Sequence, residues 1–111
     1  MHITVKKRIF VNGEPKLIPH SANLTIYFFP RLTDFWMRRL KHAQIVWSGL
    51  IENEATIMIP APPPKRTYLF RFTDEEGWVY ECDPIVKDGM IINAVLGPRY
   101  AGEKPDKNNK R

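Results

Sequence analysis

Five side chains within one short stretch could form a docking surface: Phe35, Trp36, Arg38, Arg39 and Lys41. Aromatic rings supply contact area, and guanidinium groups present a planar fork to carboxylates, so Trp, Phe, Met and Arg are the types that concentrate binding energy at protein interfaces. The same mixture also suits a single nucleic-acid strand, whose bases stack on rings while its phosphates meet cations. No RRM, KH, zinc-finger or helix-turn-helix pattern accompanies the stretch. A third role is purely structural: the apolar side of "RLTDFWMRRLKHAQ" (31–44) plugs an end or edge of the fold, and its cations are simply solvated. The expectation taken forward is docking of Phe35, Trp36, Arg38, Arg39 and Lys41 on an acidic or apolar groove of a protein partner, with other copies of the chain among the candidates.

Catalytic chemistry is harder to assemble. His2, His20 and His42 are far apart in sequence, and none has a metal-binding spacing such as H-x-x-x-H. There is no Gly-rich phosphate loop, and Ser21 and Ser48 lack the context of an activated nucleophile. The acids of "DEEG" (Asp74–Glu76) fall in a turn, where solvent disfavours shifted pKa values. Cys82 has no second cysteine to pair with, and in "WVYEC" it shares a strand face with Trp78 and Tyr80, as a small buried hydrophobe would. The sequence therefore nominates no catalytic residue, metal ligand or cofactor. A small hydrolase with an unassigned site is the enzymatic alternative.

Two other stretches resemble motifs. In "PAPPPKR" (60–66), Pro60, Pro63 and Lys65 have the P-x-x-P-x-K spacing that SH3 grooves accept. Lying between two strand-like segments, it reads more simply as a stiff connector crossing from one sheet to another. "KKR" (6–8) reads as a charged edge strand, where lysine discourages unwanted pairing.

The elements that must position these residues are almost all β. "HITVKKRIFV" (2–11) alternates, with Ile3, Val5, Ile9 and Val11 on one face, and Asn12-Gly13 then signals a hairpin or bend. "NLTIYFF" (23–29) is apolar on both faces, which predicts a central or doubly covered strand. "QIVWSG" (44–49), "EATIMIP" (54–60), "RTYLFRF" (66–72), "WVYEC" (78–82) and "MIINAVLG" (90–97) follow, with Tyr68, Phe70 and Phe72 pointing inward and the fifth and sixth segments forming a hairpin. Only 31–44 breaks the pattern. At 100° per residue, Leu32, Phe35, Trp36, Leu40 and Ala43 share one arc, which Arg39 interrupts. This predicts a short helix near 33–42, capped by Thr33, that must dock on the sheet to persist.

The segments "RIFVNGEPKLIPHSANLTIYFF" and "IENEATIMIPAPPPKRTYLFRFTDEEG" resemble transthyretin-like and carboxypeptidase-regulatory-like domains of the Ig-like β-sandwich class. In those domains a first strand meets a G-x-P bend, and a later strand ending in Pro precedes a Y-x-x strand and a Gly turn. The resemblance covers about half of the chain and implies a sandwich. Some transthyretin-like members hydrolyse 5-hydroxyisourate with His, Arg and a C-terminal Tyr-Arg-Gly-Ser. Here Arg99 and Tyr100 stand in reverse order without the Gly-Ser, so that site does not carry over.

The 111 residues suffice for one domain with a modest core. The formal net charge of +5 is unevenly spread: residues 1–48 carry eight Lys/Arg against two Asp/Glu, and residues 49–100 carry five against eight. Such a dipolar chain can steer an anionic partner or stack on copies of itself. No apolar run is long enough to span a membrane, and the N-terminal stretch lacks an apolar signal core. The expected location is the cytoplasm, or a particle assembled there. In sum, the sequence predicts an all-β, antiparallel Ig-like or transthyretin-like sandwich of about seven strands over 1–100. A partly open β-barrel is the alternative, and 101–111 are read as a disordered basic tail.

Overall fold

The computed structural model describes residues 1–105. It contains eight strands: β1 (His2–Val11), β2 (Glu14–Pro19), β3 (Ser21–Phe28), β4 (Gln44–Glu52), β5 (Glu54–Thr56), β6 (Leu69–Thr73), β7 (Val79–Cys82) and β8 (Ile91–Leu96). Between β3 and β4 lie a one-turn helix α1 (Leu32–Trp36) and a 3-10 turn (Leu40–His42). The strands form two separate four-stranded sheets, so the chain is an all-β sandwich and not a closed barrel. In the first sheet, β1 is flanked on one side by β5 and β2 and on the other by β8. The second runs β4-β3-β6-β7.

Strand alternation builds the core. Ile3 and Val5 of β1, with Ile92, Ala94 and Leu96 of β8, face Ala22, Leu24 and Ile26 of β3, Ile51 of β4 and Phe70 and Phe72 of β6. Burying each such branched or aromatic side chain contributes roughly 1.5–3 kcal/mol. Tyr68, Phe70 and Phe72 point inward as their spacing predicts, and β6 and β7 form the expected hairpin. The two-faced strand β3 is central, between β4 and β6. Its outer face is covered as well: Phe29 and Leu69, with Tyr27 beside them, pack against Phe35, Leu40 and Ala43.

Several expectations need correction. The sandwich is not wholly antiparallel, because β8 pairs with β1 in parallel, from His2 opposite Ile91 to Lys7 opposite Leu96. An eighth strand, β2, joins β1 through the Asn12-Gly13 turn, both residues having positive φ as a two-residue hairpin turn requires. It buries nothing along its length and so has no apolar period. β4 continues beyond Ser48-Gly49 to Glu52. Gly49 does not end it but makes room for the Trp47 ring, whose Cη2 would lie 2.8 Å from an added Cβ. The run after β5 leaves the sheet at Ile57, and the proline segment carries the chain from the first sheet to the second, with the Tyr68 hydroxyl donating to the Pro60 carbonyl.

The predicted ten-residue helix is instead a single turn that breaks at Arg38. Arg38 has φ 53°, in the left-handed region. A continuous helix would carry Arg39 into the apolar arc. The break turns Arg39 toward solvent and lets Leu40 and Ala43 return to the sheet. Thr33 is not the cap: Arg31 holds the N-cap position, and no side chain caps the turn. Of the expected tail, residues 101–105 are described. Glu103 folds back on Arg99, accepting from its backbone N–H at 2.6 Å and from Nη2 at 3.1 Å. The remainder of the tail lies outside the described residues.

Candidate docking element and neighbouring clefts

The 31–43 element sits on the outer face of the second sheet, and its five candidate residues have different fates. Phe35 is only 8% exposed and stacks edge-on against Phe29 at 5.7 Å, so it is an anchor and is not available to a partner. That corrects its place among the docking residues. Trp36 stands beside it at 73% exposure, with Met37 and Leu32 also exposed, and its ring meets the Phe35 ring edge-on at 5.4 Å. The exposed part of the element is thus an apolar knob held by the buried ring beneath it.

The cations around the knob are mostly engaged. Arg38 donates from Nη1 to the Phe35 carbonyl at 2.7 Å, lies over the Phe35 ring and faces Asp83 at 3.5 Å. Arg39 reaches Asp34 at 3.5 Å and Met37 Sδ at 3.0 Å. Lys41 is exposed and has no partner among the described residues. Arg66 adds a cation that helical spacing could not reveal. It donates to the Phe29 and Pro30 carbonyls and lies over the Phe28 ring, and with Lys65 it lines a cleft of about 180 Å³ against Leu32, Phe35 and Trp36.

Asp34 departs most from expectation. Helical spacing places it on the solvent side, yet it is 2% exposed, its carboxylate facing His42 Nδ1 at 3.3 Å and Arg39 at 3.5 Å. Its own backbone carbonyl accepts from the Arg39 N–H at 3.0 Å. The two sides of the helix break are therefore drawn together around one carboxylate. A buried ionised group is tolerated only when paired in this way.

Two other groupings join residues distant in sequence. His20, Asp74 and Glu76 bring their ligand atoms within 4.8 Å of one another, a spacing compatible with a metal ion. Each already has a protein partner. His20 Nε2 donates to Asp74 Oδ2 at 2.8 Å, Asp74 Oδ1 accepts from the Glu76 and Trp78 backbone N–H groups, and Lys7 pairs with Glu76. With the Lys7 ammonium supplying the positive charge, the grouping acts as a clamp between the sheets. A cleft of about 600 Å³ lies between β7 and β8 and is lined by Arg8, Arg71, Trp78, Tyr80, Arg99 and Lys104, among others. Two of its cations are matched by acids: Arg71 pairs with Glu81 at 2.6 Å and Arg99 with Glu103 at 3.1 Å. Cys82 lies at the end of β7, half-buried. Burial, then the charges of Asp83 and Glu81, push its thiol up to about 11.

No helix among the described residues is long and apolar enough to cross a membrane. No protein-family model, curated protein or solved structure matches the chain.

Proposed function

We propose that the protein is a non-catalytic interaction module of the Ig-like or transthyretin-like sandwich class, and that it docks on a protein partner through the Trp36 knob. The observation that carries this reading is the 73% exposure of Trp36 on a buried, well-packed Phe35. An exposed Trp flanked by Leu32 and Met37 is the kind of apolar patch that soluble proteins cover in an interface. The rim is cationic, with Arg31, Arg39 and Lys41 at the surface, so the matching partner surface is an apolar pocket bordered by carboxylates. Arg38 and Phe35 beneath the knob are already held in place, so seating it orders only the exposed side chains.

A random peptide library displayed on phage tests this. The chain should enrich peptides that combine acidic and apolar residues, and Trp36→Ala should not retain them. Equal retention by Trp36→Ala overturns the reading. A single nucleic-acid strand is the rival occupant of the same knob. Titration with a labelled oligonucleotide separates the two, since phosphate contacts weaken steeply with added salt and an apolar anchor does not.

A further inference from the structure

We infer that β4 is a second interaction surface, and that it pairs antiparallel with β4 of a second copy of this chain to form one continuous eight-stranded sheet. β4 is the outer strand of the β4-β3-β6-β7 sheet. Its nine residues, "QIVWSGLIE", contain no Lys, Arg or Pro, and their only charge is the terminal Glu52. Ile45 and Leu50 are 63% and 54% exposed. Among the described residues, no backbone hydrogen bond reaches β4 from the side away from β3. The one irregularity of β4 is at Val46, where the register against Ile26 and Tyr27 shifts, and from Trp47 to Ile51 the pairing with β3 is regular and the edge carries no charge. A long edge with so little charge is a ready template for another strand, and proteins that keep an edge unpaired usually guard it with charge, proline, a bulge or short length.

Most of the other strands at sheet borders are guarded in these ways. β2 carries Pro15, Lys16 and Pro19. β7 has only four residues, includes Glu81 and runs into Asp83-Pro84. β5 has three residues. β8 is uncharged too, but it has six residues and its open side faces β7 across the cleft. Among these border strands, β4 is the longest whose interior carries no charge or proline.

Charge identifies the partner as a second copy. Antiparallel pairing centred on Ser48, within the regular part of β4, puts that residue on the two-fold axis and brings the Gln44 end of each strand to the Glu52 end of the other, so no like charges meet. The two ends of the sheet differ in sign. The Gln44 end follows directly on Lys41. The Glu52 end lies beside the Asp74–Glu76 turn, because Ser21 pairs with Glu52 and Asn23 with Thr73. Antiparallel pairing therefore brings Lys41 of each copy to the acidic end of the other. Neither Lys41 nor Glu52 has an ion-pair partner among the described residues. The two-fold axis of such a pair is perpendicular to the sheet, so both outer faces look the same way and both Trp36 knobs stay open. The inference is thus separate from the Trp36 reading and does not depend on it.

Light scattering across a concentration series tests it. The full chain should approach twice its 13.0 kDa mass as concentration rises. Ser48→Lys and Ser48→Glu each place like charges on the axis, and each should remain a monomer with an unchanged circular dichroism spectrum. An equimolar mixture of the two should regain the dimer, which a merely unfolded variant could not do. Trp36→Ala should dimerise as the parent does. A parent that stays monomeric at every concentration overturns the inference, as does a Ser48→Lys mass equal to the parent's. A dimer lost in Trp36→Ala but kept in Ser48→Lys overturns the edge pairing while leaving the knob as the interface.

Discussion

His20 and Asp74, 54 residues apart in sequence, are joined by a 2.8 Å hydrogen bond that fastens the corner between β2 and β3 to the β6–β7 turn. The second Asp74 oxygen holds the turn itself, accepting from the Glu76 and Trp78 backbone N–H groups. The Asp74 side chain is 2% exposed, and deleting its carboxylate removes three hydrogen bonds at once. Asp74→Ala should destabilise the chain by about 2–4 kcal/mol in urea unfolding. Asp74→Asn keeps an acceptor for the turn and should cost less than half as much.

The contrast between Phe35 and Trp36 gives a second prediction. The two rings are adjacent, yet one fills the satellite core with Phe29 and Leu69 and the other faces solvent. Phe35→Ala should cost about 3 kcal/mol or more in unfolding free energy, as a large-to-small core substitution does. Trp36→Ala should change stability by no more than about 0.5 kcal/mol. Equal losses from the two would mean that the knob is part of the core.

What was legible in the sequence follows from which residues bury a face. β1, β3, β6 and β8 each turn alternate apolar residues toward the core, so period-two spacing reveals them. β2 buries nothing, and the Asn12-Gly13 turn was its only signal. The parallel pairing of β8 with β1 is a matter of topology, on which strand patterning is silent. In the 31–43 element, spacing correctly brought Phe35, Leu40 and Ala43 to one side, but it also put Leu32 and Trp36 there and sent Asp34 to solvent. The difference arises because the element is not one continuous helix. A single left-handed residue at Arg38 resets the phase, and helical spacing has no signal for arginine in that conformation. The His20–Asp74 and Lys7–Glu76 contacts were hidden because their partners are far apart in the chain.

Gly97 closes the end of β8 against β1 and supplies a third prediction. Its φ is +97°, and an added Cβ would come within 2.5 Å of the Arg8 carbonyl oxygen, a backbone atom that cannot swing aside. Backbone strain and steric contact act together here, so Gly97→Ala should cost about 2–3 kcal/mol. The loss should appear as earlier hydrogen exchange along Lys6 and Lys7, which pair with Val95 and Leu96. A neutral substitution would show that the β1–β8 junction is looser than its geometry requires.

Cys82 makes the stability depend on pH at the alkaline end. Burial and the neighbouring Asp83 and Glu81 carboxylates raise its thiol from 9.0 to about 11. The unfolded chain then loses this proton near pH 9 while the folded chain keeps it. The contribution is whole below pH 9 and is lost as pH rises toward 11. Burial also raises Tyr80 and Tyr68 above their ordinary value of 10.0, so they act in the same direction at higher pH. Cys82→Ala should flatten the stability profile from pH 9 upward, leaving the Tyr68 part in place and removing the share of the Tyr80 shift that Cys82 supplies. The same shift governs reactivity. At pH 8 the thiolate fraction falls about 100-fold, and the greater nucleophilicity of a more basic thiolate recovers about tenfold. Cys82 should therefore react with a disulfide reagent roughly tenfold more slowly than a free thiol, before any steric hindrance. A reaction at the free-thiol rate, in a protein still folded by circular dichroism, would refute this environment for Cys82.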